Sequence, residues 1–214
     1  MLPSLMEILR PSESGLDNAI RRLRQLLDNA EIIAYPTETF YGLGVNYKQE
    51  EALERLYYIK QRPRDRAMPL IIGRTELLTL LTPALSPAAE KLIGKFWPGP
   101  LTLIFEARDS LSLHITAGTG KVAVRIPGPS FALDLARNLD YPITSTSANL
   151  AGMPPAETAA QVMDYFGSAA ITIVDSARTP GNAPSTIVDV TGTEVTIVRQ
   201  GIISAEAIIS VAQR

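Results

Sequence analysis

Apolar residues recur at three- and four-residue intervals at Leu16, Ile20, Leu23 and Leu27, which predicts an amphipathic helix from about Leu16 to Leu27. Glu31 to Tyr35 reads as a short strand running into Pro36, whose missing amide hydrogen disfavours continuing as a central strand, so the polar segment that follows falls at a strand end. A second helix is predicted over Glu50 to Lys60, with Leu53, Leu56 and Tyr57 inward. Pro69 to Ile72 is a strand candidate, and Ser86-Pro87 caps a helix over Ala88 to Phe96. Trp97-Pro98-Gly99-Pro100 ends that helix, and Leu101 to Phe105 returns to strand. Further strands are expected at Lys121 to Ile126, Tyr141 to Ile143, Ile171 to Val174, Thr186 to Val190 and Val195 to Val198. Helices are expected from about Ser130 to Leu139, near Glu157 to Tyr165 and from Ser204 onward.

Interleaved helices and strands of this kind predict an α/β fold, a sheet covered by helices. The two strands separated by Thr191-Gly192-Thr193 must form a tight hairpin if they pair, so the sheet should be mixed. The proline-rich patches are short, and no repeat or linker divides the 214 residues. One domain over 1–214 is expected, with its core at about 13–201 and a short C-terminal helix at 203–214.

Composition narrows the functional classes. With 46% hydrophobic and 20% charged residues the chain can build an ordinary core. Having no cysteine, it has no thiolate nucleophile, disulfide or thiolate-bound metal. No run approaches the ~18 apolar residues of a membrane span, and the N-terminus lacks the pattern of a signal peptide, which points to the cytoplasm. The net charge of -2 offers nucleic acid no overall attraction, so anion binding must be local. The densest basic stretch, Lys60 to Arg66, has four positive side chains and one negative in seven residues, a cluster suited to a small anion.

Four polar places stand beside apolar strands or end a helix. Thr37-Glu38-Thr39, before Gly42 and Gly44, is either a self-capping turn or a binding segment whose glycines admit a ligand. Lys60 and Arg62 either cap their helix or grip phosphate or carboxylate. Arg125 shares a strand face with Lys121 and Ala123, and must salt-bridge internally or face an anion-binding cleft. Thr144-Ser145-Thr146-Ser147-Ala148-Asn149 is a plain polar loop or a set of donors for phosphate oxygens and sugar. There is no P-loop or dinucleotide fingerprint. His114, the one histidine, has no serine elbow to serve and reads as a partly buried or loop residue.

Six blocks in order, Tyr35 to Gly44, Lys60 to Pro63, Phe96 to Thr102, Val122 to Pro127, Ser145 to Asn149 and Ser185 to Asp189, resemble the YrdC/Sua5 family. The resemblance implies a mixed, twisted sheet with helices around a large basic cleft, the YrdC-like or DHBP synthase-like fold. It also implies an L-threonylcarbamoyladenylate synthase, an ATP-dependent nucleotidyltransferase. Its substrates would be ATP, L-threonine and bicarbonate, and magnesium is expected with ATP, with no organic cofactor and no assigned metal ligands. The product would pass to a separate transferase complex that modifies an adenosine in certain transfer RNAs, with at most a weak tRNA contact and no membrane. By motif, Lys60 and Arg62 are the catalytic charges, and they hold ATP together with Ser147, Asn149 and Arg199. Thr37, Thr39, Arg125, Ser145 and Ser185 are the threonine and bicarbonate side.

The chain departs from the family pattern at Pro184, where glutamate is common, at Gly73, near where many members have histidine, and in a longer segment between Pro63 and Pro69. It resembles the short form without an additional C-terminal domain, so cleft closure is expected from the N-terminal residues or the tail after Gly201, or not at all. Two alternatives remain on the same fold. One is a non-catalytic RNA- or nucleotide-binding protein, and the other is an enzyme of carbamoyl phosphate.

Overall fold

A computed structural model describes residues 6–176 and 178–213. The predicted N-terminal and C-terminal stretches therefore reach, at 1–5 and 214, outside the described residues. In chain order the elements are β1 (Glu7–Leu9), α1 (Pro11–Ser14), α2 (Leu16–Asp28), β2 (Ile32–Pro36), β3 (Tyr41–Gly44), α3 (Glu50–Lys60) and β4 (Leu70–Ile71). After a 3-10 turn at Thr75–Leu80 come α4 (Pro87–Phe96), β5 (Leu101–Glu106), α5 (Leu113–Thr116), β6 (Lys121–Arg125), α6 (Phe131–Arg137), β7 (Ile143–Thr144) and β8 (Thr146–Ser147). The chain continues through α7 (Ala159–Phe166), β9 (Ile171–Val174), β10 (Thr186–Asp189), β11 (Thr196–Arg199) and α8 (Ala205–Ala212).

The mixed α/β architecture read from the pattern is present, with the strands divided between two sheets. One sheet has five strands in the order β1-β9-β2-β3-β8, and the other has six in the order β11-β10-β5-β6-β4-β7. Both combine parallel and antiparallel pairs. The Thr191 to Thr193 turn joins β10 and β11 as the expected antiparallel hairpin. The sheets part where β7 ends and β8 begins, and Ser145 is the single residue between them. Its amide donates to the Pro69 carbonyl at 2.8 Å.

Strand β2 is buried along its whole length because its two faces serve different clusters. Ile33 and Tyr35 pack with Ile20, Leu23 and Leu27 of α2 and with Phe131 and Leu135 of α6. Ile32 and Ala34 join the larger cluster, which continues through Leu53 and Leu56 of α3 to Leu101, Leu103, Val122 and Val124 beneath the six-stranded sheet. Truncating a side chain such as Leu23, fully enclosed there, costs ~2–5 kcal/mol. Pro36 sits beyond the stretch of β2 that pairs with β9, so its missing N–H interrupts no bond on that side.

Strand β3 follows directly and was not foreseen, because Tyr41-Gly42-Leu43-Gly44 lacks the composition of a strand. Its glycines face Tyr35. A Cβ on Gly44 would lie 2.6 Å from Tyr35 Cε1, and one on Gly42 would lie 3.5 Å from the same ring and 3.3 Å from Ser145 Oγ. Gly44 therefore admits the buried tyrosine, whereas Gly42, where a Cβ would meet the ring only at ordinary contact, lines the cleft. Gly73 has a similar reason, since a Cβ there would meet the Ala136 carbonyl at 2.2 Å, and no histidine could stand in that place.

The two candidate lids are docked elements. Residues 7–9 form the edge strand beside β9. The tail is stitched to β10 by Thr186 Oγ1, which donates to the Ile203 carbonyl at 2.7 Å and accepts from the amides of Gly201 and Ile203. Beyond it α8 packs on α4 with Ile208 enclosed.

Candidate active site

A cleft of about 860 Å³ opens between the sheets. Its floor is the face of the six-stranded sheet that the core leaves free. Along β5 and β6, Leu101, Leu103, Val122 and Val124 point into the core, so alternation turns Thr102, Ile104, Ala123 and Arg125 into the cleft. Ile187 and Arg199 continue this floor from β10 and β11. One wall is the β2–β3 turn with the β8 segment, and the other is the chain leaving α3. All ten residues singled out in the sequence line this one cleft: Thr37, Thr39, Lys60, Arg62, Arg125, Ser145, Ser147, Asn149, Ser185 and Arg199.

The Thr37 to Phe40 turn satisfies itself, as the capping reading expects, while Thr37 and Thr39 line the cleft. Thr37 Oγ1 donates to the Phe40 carbonyl at 2.7 Å, accepts from the Thr39 amide at 3.0 Å and lies 2.9 Å from Thr39 Oγ1. Glu38, between them, turns to Arg125, whose Nη1 donates to Glu38 Oε1 at 2.7 Å with both side chains largely buried. Arg125 thus makes an internal salt bridge and also lines the cleft, the two possibilities left open by its strand position.

Lys60 is 3% exposed, and its three ammonium hydrogens have three acceptors: the Ser147 carbonyl at 2.5 Å, the Asn149 carbonyl at 2.8 Å and Asn149 Oδ1 at 3.4 Å. Its own carbonyl accepts from the Ala151 amide. Lys60 therefore holds the 147–151 segment in place as well as charging the site. Burial, and then the neighbouring Arg62, lowers its pKa from 10.5 to about 7. Ser147 Oγ donates to Asn149 Oδ1 at 2.6 Å, which presets the amide.

Helix α3 ends in a left-handed Gln61, and this turn sends Arg62 back over the cleft. Arg62 donates from Nε to the Arg66 carbonyl and from Nη2 to the Ala67 carbonyl, closing the 62–67 segment on itself. Burial lowers its pKa too. The same segment is moored from outside: Arg64 pairs with Glu54, which His114 also contacts at 2.8 Å, while His114 Nδ1 lies 2.9 Å from Glu50. Arg64 and His114 together hold the Glu54 carboxyl down to about 2. The lone histidine is thus partly buried and structural.

Across the cleft, Arg199 donates to the Ser185 carbonyl at 2.8 Å and to Ser185 Oγ at 3.2 Å, and Ser185 Oγ lies 2.9 Å from Thr102 Oγ1. Burial first, and then the charge of Arg125, lowers the Arg199 pKa. Pro184 and Gly201 share this corner. The Pro184 carbonyl takes the Ile202 amide, and a Cβ on Gly201 would strike it at 2.3 Å.

Thr102, Ile104, Ala123, Thr146 and Ile187 also line the cleft and were not named as site residues. Alternation opposite the buried positions of β5 and β10 was the signal that could have found them. Among the described residues no group of three His, Asp or Glu could hold a metal ion, and no helix is long and apolar enough to cross a membrane.

Residues 25–201 match the profile of the Sua5/YciO/YrdC family, described as telomere recombination. A threonylcarbamoyl-AMP synthase of Pyrococcus abyssi is 35% identical over 189 residues, covering 88% of this chain and 56% of that protein. One of Idiomarina loihiensis is 37% identical, covering 74% of this chain and 86% of its own. The chain thus spans little more than half of the longer relatives. The crystal structure of P. abyssi Sua5 complexed with L-threonine superposes with a TM-score of 0.89 at 33% identity, over 97% of this chain and 61% of that one. Escherichia coli YciO, at 22% identity and a TM-score of 0.82, shares the fold. With its six sequence blocks assembled around one cleft and the family profile spanning most of its length, the chain belongs to the Sua5/YciO/YrdC family.

Proposed function

We propose that this protein is an L-threonylcarbamoyladenylate synthase. The observation that carries the reading is that the cations and hydroxyls named from separate sequence blocks converge on one bounded cleft of about 860 Å³, a volume suited to a nucleotide and an amino acid together. Lys60, Arg62, Arg125 and Arg199 line a concave site, a shape that suits a small anion better than an extended RNA. In the proposed reaction the amine of L-threonine attacks the carbon of bicarbonate and water leaves, giving a carbamate. A carbamate oxygen then bonds to the α-phosphorus of ATP, the bond to the bridging oxygen breaks, and pyrophosphate departs with the electron pair.

Apart from the attacking amine, the reacting groups are oxyanions or become so, and fixed positive charge and donors serve them better than a general base. Lys60, Arg62 and Arg199 would meet the triphosphate, with Ser147 and Asn149 donating to its oxygens. Thr37, Thr39, Ser145, Arg125 and Ser185 would hold threonine and bicarbonate. Because the cleft supplies cations and hydroxyls rather than carboxylates, magnesium entering with ATP would be held by phosphate oxygens and water. The product would go to a separate transferase complex acting on tRNA.

The test is pyrophosphate release by the purified protein with L-threonine and bicarbonate omitted in turn, the nucleotide product being identified by mass. Release that needs both, with threonylcarbamoyl-AMP formed, is expected. ATP binding without that product would overturn the reading. Arg62→Ala is expected to lower kcat/KM about 10²–10³-fold, as loss of a transition-state donor does.

A further inference from the structure

Four cations of the cleft, Lys60, Arg62, Arg125 and Arg199, are compensated in two different ways. Lys60, Arg62 and Arg199 donate to neutral backbone carbonyls, to an amide oxygen and, for Arg199, to a serine hydroxyl. Among the described residues no paired carboxylate therefore offsets their charge toward an anion that enters. Arg125 alone among them is paired with a carboxylate, Glu38, at 2.7 Å. That carboxylate is well enclosed. Its Oε2 is sealed from solvent without a partner, and its side chain lies against Gly128, where a Cβ would come within 3.1 Å of Glu38 Cγ. Glu38 does not line the cleft, whereas Arg125 does. The pair is joined at one guanidinium nitrogen only, and the remaining nitrogens are not sealed, so Arg125 presents hydrogen-bond donors to the cleft with its charge already matched from behind.

We propose that Glu38 is a specificity-determining residue that sorts the two anions of the cleft, keeping polyphosphate off Arg125 and reserving that guanidinium for a singly charged carboxylate. The identity of the two anions rests on the proposed synthase reading. A triphosphate gains most where positive charge is uncompensated, at Lys60, Arg62 and Arg199. At Arg125 it meets a neutral pair and the repulsion of a buried carboxylate a few ångströms behind. A carboxylate carries less charge, loses less to that repulsion, and still finds the fork geometry that suits it. The device is discrimination against the wrong ligand rather than added grip on the right one. It matters here because Arg125 and Arg199 line the same cleft, with Arg125 near enough to disfavour the Arg199 charge, so that without Glu38 the two would offer polyphosphate a second site.

Inorganic pyrophosphate is a probe that needs no turnover. Calorimetric titration of the wild-type protein is expected to show one site. Glu38→Gln, which keeps shape and an acceptor oxygen but removes the charge, is expected to bind pyrophosphate about tenfold more tightly or at a second site, and pyrophosphate should then compete with L-threonine. Glu38→Asp, retaining charge, is expected to behave as wild type. A variant that is merely damaged would lose affinity, so a gain identifies the electrostatic role. The double variant Glu38→Gln/Arg125→Gln removes both charges and leaves no unpaired buried ion. It is expected to lose threonine affinity while binding pyrophosphate as wild type does. Unchanged pyrophosphate binding in Glu38→Gln, or a tenfold loss of it in the double variant, would overturn the proposal. Failure of the wild-type protein to make threonylcarbamoyl-AMP would overturn the synthase reading and leave the pyrophosphate result standing on its own.

Discussion

At Lys60 a single side chain serves as both fastener and charge. Three acceptors need the three hydrogens of an ammonium, while burial and Arg62 oppose that charge and bring its pKa to about 7. Between about pH 7 and 10.5 the unfolded chain holds a proton that the folded protein has released, so raising pH through this window adds stability. Below about 7 both states are protonated and the contribution stops changing. Urea titrations of wild type and Lys60→Met should therefore diverge in the wild type's favour as pH rises from 7 toward 10, whatever their difference at pH 6. A bound triphosphate reverses the bias by favouring the ammonium. ATP binding at about pH 8 should take up a proton, visible as a calorimetric heat that depends on the buffer's ionisation enthalpy and absent from Lys60→Met.

Among the elements, β3 shows how one side chain dictates its neighbours. Tyr35 lies flat where two glycines face it, its hydroxyl donating to the Thr144 carbonyl at 2.8 Å, and burial pushes its phenol pKa up. Gly44→Ala would place a methyl at 2.6 Å from that ring and is expected to cost ~1–3 kcal/mol in denaturant unfolding, with the cleft's ligands unaffected in kind. This element also marks where the sequence ceases to be readable. Helices α2, α3 and α4 were legible because their apolar spacing and the Ser86-Pro87 cap are local signals, and Ser86 does accept from the Ala89 amide. Strand β3 was not, since its pairing is fixed by β2 and β8 and its Gly44 by a ring earlier in the chain. The same limit applies at the site. Residue types and blocks named ten of the cleft's side chains, whereas the carbonyl partners of Lys60 and Arg62 depend on backbone that only the folded chain brings near. The Glu38 pairing was invisible for that reason, as it joins two blocks 87 residues apart.

For the molecule as a whole, the net charge of -2 hides a local excess of positive charge that the fold gathers from α3, β6 and β11. Association with ATP should accordingly weaken as salt is raised, by less than for a nucleic-acid binder, because the cations are few and Lys60 and Arg125 are buried and poorly screened. The passage from β7 to β8 gives the molecule a mechanical property as well. Ser145 is the residue at which the chain passes from one sheet to the other beside the bonds that tie residues 142–144 to residues 45–47, and it lies in the cleft that a ligand would fill. A ligand touching both sheets would add a brace at this joint to the backbone bonds that already hold it. Exchange of the Ser145 amide hydrogen with deuterium should slow when ATP and L-threonine are bound together, more than with either alone, and lengthening the joint by one inserted glycine should abolish that synergy while leaving each sheet folded.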